Sequence, residues 1–374
     1  MKNKKAFTLI ELLVVISIIA LLIGILLPAL GSARASAQTL VCSSTLRSMG
    51  TASAIYQSNY RDHYPSPVNV GAKYLGSVVI PGEGISAGVD ALDGNSTQLA
   101  PTQTQDWITP MLGDSLGFSV RRAEKVSQLS NDFGCASTKF FIDAPFPNGN
   151  GSGMPEDFES FADEVIIGVK QGSYLMPSGF AHFSNYDPQE AVGVIRDLVK
   201  RANPRTSGIQ IVQQPTSMLS HQNAPIQPKA FRHKITQVGT VVSDKVMAAD
   251  GTRFWTDPGE GQVDGLTYNP EIAPRIYGNF TESTPTFKGS TAWGRESPNS
   301  PSQTNLELSM RHGDGNVNAL YFDSSVRSMS NIQMWTNPNP WHPTGTRWND
   351  GDNTDESIQF MDVQTGNRRF SVIH

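Results

Sequence analysis

The chain has 374 residues, which is enough for one large domain or two ordinary domains. It carries 29 basic and 34 acidic residues, a formal net charge of −5, and no dense basic tract, so we expect no nucleic-acid partner. Glycine (33) and proline (24) are plentiful, as is typical of a loop-rich domain. We find no phosphate loop, dinucleotide fingerprint or zinc motif, and therefore expect no cofactor.

The chain opens with a basic leader and an apolar run. Residues 1–6 contain three lysines and no acidic residue, and residues 12–30 contain no charge at all. About 20 apolar residues suffice for a helix to cross a bilayer. Because positive charge stays in the cytoplasm, we predict a single-pass helix over residues 7–30 with its N-terminus inside.

Glu11 lies within this membrane-length segment. A charged side chain in a membrane helix costs up to about 3 kcal/mol and indicates function by default. The apolar run offers it no cationic side chain. A cut between Ala6 and Phe7 would create one cation, the α-amino group of Phe7, about one helical turn away or on a neighbouring copy.

Ala6 and the following Phe7-Thr8-Leu9-Ile10-Glu11-Leu12-Leu13 resemble the cleavage and methylation segment of type IV prepilins and type II secretion pseudopilins. The resemblance implies that a prepilin peptidase removes the leader after Ala6 and N-methylates Phe7. It also implies that Glu11 pairs with the N-terminal amine of an adjacent subunit during filament assembly. The family usually has glycine before the cut, where this chain has Ala6.

The resemblance carries a fold and a location. It implies an α+β, pilin-like protein in which a long N-terminal helix packs on a globular head with an antiparallel sheet. The expected partners are the prepilin peptidase, other pilin or pseudopilin subunits and the inner membrane. The head is expected in the periplasm, or on a filament or the cell surface after assembly.

Two other fates of this segment compete. In an ordinary secretory signal, the small residues Ala35-Ser36-Ala37 would precede a cut before Gln38. The apolar run exceeds the usual core of about 7–15 residues, and Glu11 fits such a core poorly. The second alternative is an unprocessed signal anchor.

The helix is predicted to continue over residues 31–64. Pro28 removes a backbone hydrogen bond and predicts a kink. Beyond it, a stripe recurs at spacings of three and four that predicts one buried helical face, formed by Cys42, Leu46, Met49, Ser53, Tyr56 and Tyr60. Tyr64-Pro65 predicts the end near Asp62. A rod from Phe7 to Asp62 would be on the order of 80 Å long.

Residues 65–374 are predicted to form the extracytoplasmic head. Period-three and period-four spacing predicts a helix over residues 188–201, and an apolar run predicts a strand over residues 245–249. Residues 316–322 and 325–329 predict a hairpin around Asp323-Ser324. A short helical or turn segment is expected to open at Trp107.

The head extends the resemblance to large pilin-like proteins of planctomycetes and related bacteria. The shared order includes Tyr64-Pro65, Trp107, and a histidine before the hairpin, His312. That family ends in a histidine, nine residues and Asp-Gly. This chain has ten residues between His312 and Asp323, and Ser324 stands where the glycine would be.

Two further sites remain open from the residues alone. Cys42 and Cys135 are the only cysteines, and an export route permits a disulfide without establishing one. The acidic loop containing Asp350, Asp352 and Asp355 offers clustered oxygen ligands for calcium, as in major pseudopilins, but lacks the EF-hand spacing.

Two rival functions belong to other classes. One is a membrane-anchored binding module that never polymerises and uses tryptophans to hold carbohydrate or protein: Trp335, Trp341 and Trp348. The alternative for these indoles is core packing. The other is an anchored hydrolase, with Ser86 in the Gly84–Gly88 G-x-S-x-G match or with His312 beside Asp314. We expect a structural subunit, not an enzyme, and a structural role for His312.

Overall fold

The structure is a computed structural model that describes residues 9–66, 77–80, 84–87, 106–138, 141–142, 169–170, 173–181, 210–211, 227–228, 231–251, 280–282, 284–287, 290, 292–293, 309–349, 353–365 and 370–373. Within these ranges the fold is α+β, as predicted: one long N-terminal helix and a head built on an antiparallel sheet. The helix predicted over residues 188–201 lies outside the described residues.

Helix α1 spans Leu9–Asn59, 51 residues without interruption. Its end is set by local backbone geometry. Arg61 and Asp62 adopt left-handed φ values of 55° and 65°, which a continuing right-handed helix does not allow. Pro65 follows shortly after. The predicted single rod is therefore confirmed, and the described helix ends at Asn59, close to the predicted end near Asp62.

Five strands form the central sheet of the head: β5 (Tyr174–Pro177), β7 (Val246–Asp250), β8 (Thr281–Glu282), β9 (Asn316–Tyr321) and β10 (Val326–Ser330). The order across the sheet is β10-β9-β7-β5-β8. The first four strands are antiparallel to their neighbours, and β8 joins β5 in parallel. The predicted hairpin is β9–β10, and the predicted strand at 245–249 is β7.

The central sheet carries hydrophobic core on both faces. On β7, Met247 and Ala248 belong to the cluster that includes α1, whereas Val246 and Ala249 belong to a second cluster. Successive strand residues normally point to opposite faces, and a register irregularity between Val246 and Ala248 interrupts that alternation at Met247. A strand buried on both sides becomes apolar throughout. This explains why β7 is a continuous apolar run instead of an alternating one.

The remaining elements are short. The helices are α2 (Thr109–Leu116), α3 (Arg122–Asp132), α4 (Ser178–Ala181), α5 (Ile235–Val238), α6 (Asn331–Thr336) and α7 (Asp355–Thr365). The strands are β1 (Ser77–Ile80), β2 (Gly84–Ala87), β3 (Phe141–Ile142), β4 (Val169–Lys170), β6 (Gln210–Ile211), β11 (Arg347–Asn349) and β12 (Phe370–Val372). The short helical or turn segment expected at Trp107 is α2.

Candidate functional site along the N-terminal helix

The first part of α1 makes no buried contact with the rest of the described chain. Its large apolar side chains between Leu9 and Leu30 are 44–84% exposed. Among the described residues, α1 is the one helix long and apolar enough to cross a membrane. The polar Ser17 satisfies its hydroxyl internally by donating to Val14 O at 2.7 Å. The apolar side chains of this segment therefore require an apolar environment that the head does not provide.

Glu11 lies in the first turn of α1, exposed among these apolar side chains. The negative charge sits near the helix N-terminus, where the helix dipole favours it. Ala6 and Phe7, the predicted processing residues, lie outside the described residues. Pro28 lies inside α1, which continues through it, and its predicted kink stays a prediction.

The second part of α1 packs on the head. Its buried residues are Cys42, Leu46, Met49, Gly50, Ala52, Ser53 and Tyr56. The predicted stripe is thus confirmed through Tyr56. It is wrong at Tyr60, which is 48% exposed because the helix has ended before it. Tyr60 stacks on Tyr56 with ring centroids 4.3 Å apart instead of entering the core.

Gly50 marks the closest approach of α1 to the sheet. A Cβ added there would lie 2.9 Å from both Leu320 Cδ1 and Ser324 Cβ. These two residues belong to β9 and to the turn that follows it. The absence of a side chain lets the helix backbone lie against the β9–β10 hairpin. By contrast, a Cβ at Gly24 or Gly31 would meet nothing within 4 Å.

A disulfide joins α1 to the head. Cys42 and Cys135 are bonded, with their Cα atoms 5.1 Å apart and a sequence separation of 93. Two hydrogen bonds support the junction: Ala136 N donates to Cys42 Sγ at 3.2 Å, and Gln38 Nε2 donates to Ala136 O at 3.2 Å. The pairing that the sequence left open is therefore resolved.

His312 lies next to this disulfide. Its Nε2 is 3.7 Å from Cys135 Sγ and 2.8 Å from Asp250 Oδ2, and its Nδ1 is 3.2 Å from Thr39 Oγ1 on α1. The side chains of His312 and Asp250 are buried. The carboxylate can only accept, so Nε2 carries a proton in this arrangement. One imidazole thus bridges the helix and the last residue of β7.

Arg311 completes the buried network. Its Nη2 lies 3.7 Å from Asp250 Oδ1 and donates to Ser173 O at 2.6 Å. Burial lowers the pKa of Arg311, and the Asp250 charge opposes that effect. Asp250 Oδ2 also accepts from Asn318 N at 2.7 Å. The charged pair of Arg311 and Asp250 is therefore buried at the central strand β7, and His312 lies between Asp250 and the disulfide.

The structural role of His312 stays a prediction, and the carboxylate beside it is not Asp314, the one that sequence proximity suggested. His312 closes the turn before β9, where its carbonyl accepts from Gly315 N and Asn316 N at 3.0 Å each. Its carboxylate partner is Asp250, and sequence reasoning missed that residue. The available signal was a carboxylate that ends an apolar strand directly before Gly251.

The other candidate residues are not brought into this network. Ser86 lies within β2, opposite Val78 of β1, so the expected strand-to-helix turn of a hydrolase elbow is not formed there. Asp323 lies in the β9–β10 turn and accepts from Ser325 N and Oγ at 2.9 and 2.7 Å. Asp355 begins α7, whereas Asp350 and Asp352 lie outside the described residues, so calcium stays a prediction.

The tryptophans pack inside the head. Trp341 and Trp348 are buried, and Trp341 lies 5.7 Å from Trp293 between ring centroids. Trp335 is half-buried and donates from Nε1 to Trp293 O at 3.1 Å. Core packing, the alternative to a ligand-binding surface, is therefore the role of these indoles.

A second buried polar group lies beside Gly179 of α4. His342 is fully buried, and neither ring nitrogen has a hydrogen-bond partner among the described residues. Burial lowers the pKa of His342 to about 3, with the Lys245 charge acting in the same direction. A Cβ at Gly179 would lie 2.7 Å from His342 Nδ1. The adjacent Phe180 O accepts from Tyr64 Oη at 2.8 Å, just beyond α1.

Comparison with known families agrees with the N-terminal geometry. Residues 1–27 match the family model described as the prokaryotic N-terminal methylation motif. Comparison with curated proteins gives no match, and comparison with solved structures gives none either. The motif, together with the long apolar helix that it opens, is consistent with a type IV pilin-like protein. The predicted prepilin-type N-terminus is thereby confirmed.

Proposed function

We propose that the chain is a pilin-like or pseudopilin-like structural subunit, not an enzyme. It is cut after Ala6 by a prepilin peptidase and assembles through α1 into a type IV pilus or a type II secretion-like filament. One observation carries the proposal: a single helix has a bare apolar part that begins in a methylation motif and a second part tied to the head.

The bare part of α1 requires two successive apolar environments. Leaving a large aliphatic side chain in water costs about 1.5–3 kcal/mol relative to burial. The segment between Leu9 and Leu30 therefore stays in the bilayer until another apolar surface replaces the lipid. A bundle formed by the same segment of other subunits supplies that surface.

Glu11 supplies the register of this bundle. In lipid its carboxylate costs up to about 3 kcal/mol, a cost that a nearby cation offsets. The amine of a mature Phe7 on an adjacent subunit is that cation. Two copies then have one preferred axial offset, at which the charges meet.

The head lies outside the cytoplasm in this proposal. The leader lysines hold the N-terminus inside, and the head follows the single span. The Cys42–Cys135 disulfide supports this orientation, because disulfides persist in oxidising compartments such as the bacterial periplasm.

The first test is the mass and N-terminal sequence of the mature protein from native membranes. We expect an N-methylated Phe7 at the terminus. A start at Gln38 would indicate a released secreted domain, and a start at Met1 would indicate an unprocessed anchor. Either result would contradict prepilin processing.

The second test separates insertion from assembly. We expect Glu11→Ala to insert into the membrane and fold normally but to be lost from sheared filaments, and Glu11→Gln to be similarly defective because it removes the charge. Ser17→Ala, which changes another polar exposed residue of the same segment, is the matched control and should assemble. Normal incorporation of Glu11→Ala would rule out the register role.

The binding-module alternative loses its main motivation in the structure. Trp341 and Trp348 are buried and present no face to a sugar. Crosslinking of the native protein in membranes distinguishes the two functions. A ladder of oligomers supports assembly, whereas monomers alone would favour the module.

A further inference from the structure

The junction between α1 and the head holds three metal-ligand side chains in one buried cluster. The Sγ atoms of Cys42 and Cys135 and one ring nitrogen of His312 lie within 4.8 Å of one another. All three residues are buried. Asp250 Oδ2 lies 2.8 Å from His312 Nε2 and adds a carboxylate beside the cluster.

We propose that, while Cys42 and Cys135 are reduced, this junction binds one Zn²⁺. The ligands are the two thiolates and His312 Nε2, with the Asp250 carboxylate in the fourth position. Two sulfurs, one imidazole and one carboxylate form a set that suits tetrahedral zinc, with Zn–S bonds of about 2.3 Å. The inference concerns the newly made chain before its disulfide forms, and it does not depend on filament assembly.

The positions of the two cysteines allow a zinc cross-link to be replaced by the disulfide. Two sulfurs on one zinc lie about 3.8 Å apart, further than two bonded sulfurs, so their side chains must rotate outward. The residues sit on different elements, with Cys42 on α1 and Cys135 beyond the end of α3. Zinc and disulfide use the same two sulfurs and therefore exclude each other.

The ring nitrogen of His312 that does not bind the metal has a hydrogen-bond partner on α1. A ligating histidine usually donates its other ring N–H to a fixed acceptor. Here Nδ1 faces Thr39 Oγ1 at 3.2 Å, and the Thr39 hydroxyl can donate onward to Ala35 O at 3.0 Å. With the hydroxyl turned to Ala35 O, Nδ1–H donates to Thr39 and the Nε2 lone pair is released for zinc.

The buried charges balance when zinc is present. Two thiolates and the Asp250 carboxylate carry three negative charges, and Zn²⁺ offsets two of them. The Arg311 guanidinium, with Nη2 3.7 Å from Asp250 Oδ1, offsets the third. Asp250 Oδ2 also accepts from Asn318 N at 2.7 Å, which orients the carboxylate. A neutral cluster avoids the cost of an uncompensated buried charge.

The binding step involves no electron transfer. The two S–H bonds break, two Zn–S bonds form, and two protons leave to solvent. Zinc binding to the reduced chain therefore strengthens as the pH rises, because the thiolates are the ligands.

The test uses the full chain in detergent micelles, reduced by a phosphine that is then removed under anaerobic conditions. Co²⁺ serves as the spectroscopic probe and Zn²⁺ as its competitor. We expect one equivalent of Co²⁺ to give the visible bands of a tetrahedral site with sulfur-to-metal charge transfer, and one equivalent of Zn²⁺ to abolish them. The oxidised chain should show none of these bands.

Variants assign the ligands. His312→Gln should weaken zinc binding at least 100-fold, and Thr39→Val should weaken it about 10–100-fold as a positioning residue. The double variant Cys42→Ser/Cys135→Ser should lose the charge-transfer bands. His63→Gln changes a half-buried histidine just beyond α1, outside the cluster, and should bind like the wild type.

Several results would overturn the proposal. One is a folded reduced chain, judged by near-ultraviolet circular dichroism of its tryptophans, that shows no tetrahedral Co²⁺ spectrum. Another is a spectrum unchanged in His312→Gln. If reduction unfolds the chain, zinc should restore the dichroism, because metal binding is then coupled to folding. Failure of zinc to restore it would also overturn the proposal.

Discussion

The two parts of α1 share one backbone and face different surroundings. From Leu9 to Leu30 the helix is apolar on every side and exposed on every side. From Cys42 to Tyr56 it is polar outside and buries one stripe against the head. One continuous helix is thus packed on its own domain over one part, and over the other part it leaves its apolar side chains uncovered by that domain.

The two parts also differ in how close neighbours approach. Gly24 and Gly31 face open space, and Gly50 lies against the hairpin. Within the described helix, the disulfide to the head lies on the docked part. The buried pair of His312 and Asp250 lies beside that disulfide. Changes in the docked part should therefore lower folding stability, and changes in the bare part should leave the folding stability intact or raised and alter assembly. Four predictions test that division, from the largest effect to the smallest.

Removing the disulfide should have the largest effect on folding. Cys42→Ala/Cys135→Ala opens a loop with a sequence separation of 93 residues. In the loop-entropy model, this lowers the free energy of unfolding by about 4 kcal/mol. Denaturant unfolding of the full chain in micelles measures the loss. The reduced wild type in the presence of a metal chelator is the control, and a loss below about 1 kcal/mol would contradict the view that the cross-link holds the docked part.

Asp250→Asn should destabilise the docked region through charge. The change leaves the Arg311 guanidinium buried without its carboxylate, at a cost of about 3 kcal/mol. Asp323→Asn is the matched control in an exposed turn and should stay within about 0.5 kcal/mol of the wild type. The same unfolding measurement applies to both variants. Equal effects of the two would show that the buried pair adds nothing to the junction.

Gly50→Ala and Gly31→Ala compare the same substitution in the docked part of α1 and directly after its bare part. At Gly50 the new methyl group overlaps Leu320 and Ser324, so we expect a loss of about 1–2 kcal/mol. At Gly31 nothing is met, and the higher helix propensity of alanine is worth up to about 1 kcal/mol. Thermal unfolding followed by circular dichroism gives both signs. A loss of stability in Gly31→Ala would contradict the proposed difference between the two parts of the helix.

Mild acid should weaken the head through His342. Its pKa is lowered to about 3 in the folded protein, against 6.5 as its ordinary value. The unfolded chain therefore binds a proton that the folded chain does not, and stability falls as the pH drops from about 6.5 towards 3. The slope from this group is about 1.4 kcal/mol per pH unit.

The pH effect is isolated by comparison with variants. His342→Gln should flatten the pH dependence of the free energy of unfolding between pH 6.5 and 4, a range set by these two pKa values. His63→Gln, at a half-buried histidine, should keep the wild-type slope. Identical slopes for the wild type and His342→Gln would show that this imidazole does not control acid stability.

Local sequence patterns were sufficient to predict the buried stripe of α1 and the β9–β10 hairpin. The stripe from Cys42 to Tyr56 follows from helical spacing, and the β9–β10 hairpin follows from alternation around a turn. The prepilin-type start follows from residues 6–13 alone. These features depend on neighbours in sequence, so sequence is sufficient for them. Tyr60 was assigned wrongly because the turn at Arg61 and Asp62 ends the helix before that position in the pattern can be buried.

The junction could be predicted only in part. Cys42, Cys135 and His312 were recognised as candidates, but their meeting depends on the sheet order, which no local pattern encodes. Asp250 was missed because its partner Arg311 lies 61 positions later. The role of Gly50 was also hidden, since a glycine in a helix does not reveal what approaches it. Ser86 fitted a motif in letters, but the chain forms a strand there.

The position of the disulfide also has a mechanical meaning. Coming from the bare end, Cys42 is the first fully buried side chain of α1. Tension applied along the helix would reach this covalent bond before it reached the noncovalent contacts of Leu46 and Met49. The disulfide would then transmit the force to the head, and the helix would not separate from the head one turn at a time. The disulfide thus anchors the head covalently at the position where tension on the bare part of α1 would first reach its buried face.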